Sequence, residues 1–123
     1  MSCLVWNCYG LGNPYTENEL TKMVRAKDPS VVFIAEAWVD EARLNNVKRK
    51  IQFKNMFVVP RTNRGGSFVL FWRSSIAVTV EGSDKNHIDA KINKDMEDDC
   101  VSLDFMVNQK LSEELSLGTF FEV

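Results

Sequence analysis

Val31-Val32-Phe33-Ile34-Ala35 is an unbroken apolar run set between Ser30 and Glu36. A strand with one wet face alternates apolar and polar residues, so a run without alternation belongs to a strand covered on both faces. The run reads as a central strand of a sheet. Upstream, Ser2–Asn7 is a second short apolar run, ending at the turn-rich Gly10-Leu11-Gly12-Asn13-Pro14. Between the two, Thr16 and Glu19 have capping-box spacing, each side chain able to satisfy an orphan backbone N–H, which predicts a helix starting at Thr16. Leu20, Met23 and Val24 then share one helical face, and Asp28-Pro29 stops the helix because proline disfavours helical geometry in the residue before it. The first third of the chain reads as strand–helix–strand.

Asp40 is placed to cap a second helix with Leu44, Val47 and Ile51 on its apolar face and Arg43, Lys48, Arg49 and Lys50 mostly toward water. Short strands follow at Asn55–Val59, Ser67–Trp72, Ile76–Glu81 and Asn86–Ile92, separated by turns tight enough for antiparallel neighbours. Cys100–Val107 alternates and predicts a further strand, Gln109–Leu117 is weakly helical, and Gly118–Val123 carries no stop signal or cap. There is no internal repeat.

A length of 123 residues suits one domain, and 45% hydrophobic with 26% charged residues excludes collagen-like, coiled-coil and wholly disordered chains. No apolar run approaches the ~18 residues of a membrane span, and no basic segment precedes an apolar stretch at the N-terminus, so a soluble intracellular protein without membrane contact is expected. Cys3, Cys8 and Cys100 cannot all pair within one chain and have no zinc-ligand spacing. The charge is uneven. Lys and Arg outnumber Asp and Glu by 14 to 9 over residues 1–94 and are outnumbered 1 to 8 over residues 95–123. A basic body of this kind is compatible with an anionic substrate.

The chemistry-bearing pair is Asn7 and Glu36. A helical crossover makes the two strands parallel, so both residues emerge at one sheet edge, on the carboxyl side where ligands of such sheets usually sit. A carboxylate and a carboxamide there suit Mg2+, which takes one or two carboxylates and completes its shell with water and phosphate oxygens. The competing interpretation is an ordinary turn asparagine and a solvated glutamate.

Three strings, Val5-Trp6-Asn7-Cys8-Tyr9-Gly10-Leu11-Gly12, Phe33-Ile34-Ala35-Glu36-Ala37-Trp38 and Arg64-Gly65-Gly66-Ser67-Phe68-Val69-Leu70-Phe71-Trp72, resemble in order and spacing the opening part of the endonuclease/exonuclease/phosphatase (DNase I-like) superfamily. The likeness, over about residues 2–92, is greatest to endonuclease domains of plant LINE-type retroelements. It implies Asn7 as an active-site residue, Glu36 as a Mg2+ ligand, and DNA as the partner. Tyr9 stands where those relatives usually have Arg, Ala37 where a hydroxyl residue is usual, and Ser67 where a third glycine is common. Exchanging Arg for Tyr removes a bidentate phosphate contact.

The resemblance also sets the expected fold: α/β, a partial four-layer α/β/β/α sandwich with one mixed sheet and two helices on one face. Residues 1–94 would form the N-terminal half of such a domain and residues 95–123 a divergent acidic tail. The sheet's other face would be left for a missing second sheet or for residues 100–123. None of the later family motifs, an Asp-x-Asn pair and a terminal Asp-His pair that activates water, is assigned to residues of this chain. His87 begins a predicted strand and is read as structural, and Asp95, Glu97, Asp98 and Asp99 lack calcium-loop spacing. Arg61, Arg64 and Arg73, with Trp72 between the last two, are candidates to line a nucleic-acid groove, the alternative being a basic hairpin surface over a core tryptophan. Two functions follow: a Mg2+-dependent phosphodiesterase, truncated and inactive alone, or a non-catalytic relic acting at most as a weak nucleic-acid or protein-binding module.

Overall fold

A computed structural model describes residues 2–7, 13–35, 40–59, 68–83, 87–94, 100–106 and 119–122. In it β1 (Ser2–Asn7) and β2 (Val31–Ala35) pair in parallel, with α1 (Pro14–Lys27) crossing between them. The helix starts earlier than the capping box predicts. Asn13 is the N-cap, its Oδ1 accepting from the Tyr15 amide at 2.9 Å, and Pro14 takes the first helical position, where its missing N–H is harmless and its φ is preset. Thr16 falls inside the first turn, and Glu19 instead faces Lys22 at 3.6 Å. The stop lies where Pro29 demands it: Asp28 turns left-handed at φ 46° and its amide closes on the Val24 carbonyl at 2.8 Å.

Asp40 caps α2 (Glu41–Lys50), accepting from the Arg43 amide at 2.9 Å. Glu17, nearly buried on α1, receives Arg43 Nε at 2.8 Å and lies 3.7 Å from Lys50 Nζ, so one carboxylate ties the two helices together. A near-buried charge is tolerable only with such partners.

β1 and β2 belong to a mixed sheet with β3 (Asn55–Val59), β4 (Phe68–Trp72) and β8 (Thr119–Glu122), in the order β3-β4-β2-β1-β8. All five residues of β2 are buried. Val32 and Ile34 face the helices with Leu4, Trp6, Leu20, Leu44, Val47 and Phe71, while Val31, Phe33 and Ala35 face the opposite side with Phe68 and Leu70. The unbroken apolar run thus serves two cores, one on each face.

The second core requires a correction. It is closed within this chain by a second sheet, β5 (Ile76–Ser83), β6 (His87–Lys94) and β7 (Cys100–Met106), antiparallel in that order. Ile76, Ile88, Ala90 and Ile92 pack onto β2 and β4, and the Phe33 and Phe68 rings lie 6.2 Å apart. The α/β class, the mixed sheet and the two helices on one face hold, and the second sheet, expected to be missing, is present. The expectation of antiparallel neighbours fails at one junction: β4 and β5 lie in different sheets, because the Arg73–Ser75 turn, closed from Ile76 N to the Arg73 carbonyl at 3.2 Å, carries the chain into the next layer. Strands from beyond residue 94 join both sheets, β7 on β6 and β8 antiparallel to β1. The segments Asp95–Asp99 and Gln109–Leu117 lie outside the described residues.

Candidate active site

β1 and β2 end together, with Asn7 directly opposite Ala35, the residue before Glu36. Among the described residues, β8 pairs with β1 from Val5 back to Ser2. Further elements are directed to the same end. Because β4 runs antiparallel to β2 with Val69 opposite Ile34, and β3 pairs with it as Val59 opposite Phe68, the connection from Val59 to Phe68 leaves and returns at the Asn7 end. Arg61 and Arg64 belong to that connection. They lie outside the described residues, as do Glu36, Cys8 and the side chain of Asn7.

Both helices start at this end as well. α1 finishes beside Ser30, whose amide bonds the Ser2 carbonyl at 2.8 Å at the far end of β1. A 14-residue helix, about 21 Å long, therefore begins near the carboxyl end of that strand. α2 likewise finishes beside Phe53, under the Arg73 guanidinium. Two helix N-termini, capped by Asn13 and Asp40, thus direct partial positive charge toward the end that carries Asn7. Tyr15, in the first turn of α1, is 71% exposed. Its only sequence signal is an aromatic just after the Asn13-Pro14 helix start.

Arg73 is not brought to this end. It follows Trp72, which pairs with Val31 at the start of β2, and it is engaged structurally: its amide bonds the Ser30 carbonyl at 3.1 Å, Nε donates to the Pro29 carbonyl at 3.1 Å, a guanidinium nitrogen pairs with Asp28, and the group lies 4.6 Å over the Phe53 ring. Trp72 is half-buried beside the inter-sheet core. His87 opens β6 opposite Met106, in the second sheet. Among the described residues no group of three or more His, Cys, Asp or Glu is arranged to hold a metal ion, and no helix is long and apolar enough to cross a membrane.

Solved structures share this fold at low sequence identity. The endonuclease domain of TRAS1, a telomere-specific non-LTR retrotransposon, superposes with a TM-score of 0.57 at 12% identity, over 88% of this chain and 46% of that one. The AP endonuclease LMAP from Leishmania major gives 0.56 at 17% identity, over 86% and 39%. A humanised D. rerio TDP2 gives 0.55 at 16% identity, over 93% and 54%. The chain spans about half the length of these structures or less. No curated protein matches it significantly. Residues 4–106, most of the sequence and both strands of the candidate site, match the Endonuclease/Exonuclease/phosphatase family, to which this chain therefore belongs.

Proposed function

We propose that the Asn7 end of the central sheet is the metal- and phosphate-binding part of a Mg2+-dependent phosphodiesterase site acting on DNA. Retroelement endonucleases are the type intended, with the plant LINE-type domains as the subgroup its three motifs resemble. The observation that carries this is the parallel register of Asn7 with Ala35, one residue before Glu36. Family membership supports it, since members are in general metal-dependent nucleases and phosphatases.

The donor set fits Mg2+: Glu36 supplies one carboxylate, and water and phosphate oxygens fill the rest of the shell, which makes the affinity low. A bound Mg2+ would polarise the phosphoryl group and offset its charge. Asn7 donates its amide to a phosphate oxygen or steadies the Glu36 carboxylate. The two helix N-termini favour an anion at this end, Arg61 and Arg64 contact strand phosphates, and Tyr15 offers a face for base stacking.

Hydrolysis further requires a group that accepts a proton from the attacking water, a contribution of about 10²–10⁴-fold. The motifs of this chain supply none, and the only imidazole, that of His87, belongs to a strand of the second sheet. The chain alone therefore binds Mg2+ and DNA weakly and does not turn over at a useful rate. The test is Mg2+-dependent nicking of supercoiled plasmid, with Glu36→Ala as the contamination control, run beside a Mg2+ titration followed by amide shifts. Weak shifts at Asn7 and Ala35, with nicking no faster than the control, are expected. Robust nicking that disappears in Glu36→Ala overturns the inactivity. DNA binding with no Mg2+ response at Asn7 favours the non-catalytic binding module instead.

A further inference from the structure

At the opposite end of the sheet, α1, α2 and the start of the β4–β5 turn enclose a cleft of about 200 Å3, several water molecules' worth of space. Thr21, Arg25, Asp28, Lys50, Gln52 and Arg73 are among its walls. We propose that this cleft is an oxyanion site that takes a phosphate group, independent of the chemistry assigned to Asn7 and Glu36.

The charge balance favours an anion. Asp28 is matched by Arg73, with which it pairs. The C-termini of α1 and α2 open near the cleft with about half a negative charge each, which together offset one more cation. Glu17, close to Lys50, is already met by the shorter contact from Arg43, at 2.8 Å against 3.7 Å. One positive charge of the three is left over. Arg25 is exposed, and among the described residues none bonds or pairs with it.

The donors are also held in advance. Arg73 is fixed by the Pro29 carbonyl, by Asp28 and by the Phe53 ring, and those two hydrogen bonds use only part of a five-donor fork. Lys50 is steadied by Asn18 Oδ1 at 3.1 Å. Gln52 sits left-handed at φ 64°, where glycine is the unstrained choice, and the Phe53 amide bonds the Lys48 carbonyl at 3.0 Å across it. The strained position thus carries a carboxamide on the cleft wall. Fixed donors around a small positive cleft are the requirements for phosphate capture.

The test is an amide-shift titration with inorganic phosphate at constant ionic strength, against sodium chloride, with a short single-stranded DNA as a second arm. Saturable phosphate shifts at Thr21, Arg25, Asp28 and Gln52 are expected, with affinity falling about tenfold in Arg25→Gln and further in Arg25→Gln/Lys50→Gln. Arg25 is exposed, so its variant keeps the fold. Shifts at these residues with DNA as well identify a strand phosphate as the source; shifts with inorganic phosphate alone identify a free or terminal one. Shifts matched by chloride, spread over all basic residues, or unchanged in the double variant overturn the site. Loss of Mg2+ response in Glu36→Gln bears on the other end only and leaves this outcome separate.

Discussion

The two ends of the central sheet are built differently. Where β2 begins, the layers are bolted to one another: Ser30 bonds Ser2, Arg73 bonds Ser30 and Pro29, and the guanidinium covers Phe53. Where β2 finishes, the described features are strand termini, two capped helix starts and the anchors of the Val59–Phe68 connection. One end is held together by a set of bonds centred on Arg73. The other gathers strand termini and both helix N-termini at the end from which the connecting segments leave, the usual place for binding residues on a rigid scaffold. Stability and function should therefore separate under mutation.

The largest effect should come from the strand that both ends share. Phe33→Ala removes a fully buried ring from the inter-sheet core and is expected to cost about 3–5 kcal/mol in urea unfolding; a loss below about 1 kcal/mol would mean that the second sheet does not close this face. At the fastened end, Arg73→Ala should cost about 1–3 kcal/mol through its lost hydrogen bonds, ion pair and ring contact, without altering any Mg2+ response at Asn7. At the other end, Asn13→Ala and Asp40→Ala should each cost about 1 kcal/mol as lost helix caps, additively, since they serve different helices. Gln52→Gly is expected to raise stability by about 1 kcal/mol, read as a higher Tm, because it relieves a left-handed non-glycine residue. The smallest stability change belongs to Glu36→Gln, within about 0.5 kcal/mol, combined with loss of the Mg2+-induced amide shifts. If this last variant unfolds the protein instead, the division between the two ends collapses.

Much of the fold was legible because its signals are local. The β2 run, the Asp28-Pro29 stop, the Asp40 cap and the Leu44/Val47/Ile51 face each lie within a few residues of the element they specify, and all appear as expected. The start of α1 was misplaced because two capping patterns lie three residues apart, and Asn13-Pro14 outcompetes Thr16 by offering both a cap and a preset φ. The parallel register that sets Asn7 opposite Ala35 also follows from sequence, since a helical crossover between neighbouring strands makes them parallel.

Strand partnership is a different kind of information. A short turn after Trp72 looks like a hairpin, yet β5 leaves the sheet, and its alternation of Ile76, Val78 and Val80 inward with Ala77, Thr79 and Glu81 outward marks a strand covered on one face only. The placing of β8 against β1, and of Arg73 at the end away from Asn7, has no local signal at all. Sequence alone determined which segments are helix or strand and which faces must be buried, because periodicity, caps and proline act over one or two turns. Only the tertiary structure decided which further strands join β1 and β2, which layer covers the inner face of β2, and at which end Arg73 stands, because those choices depend on apolar faces far apart in the chain finding each other.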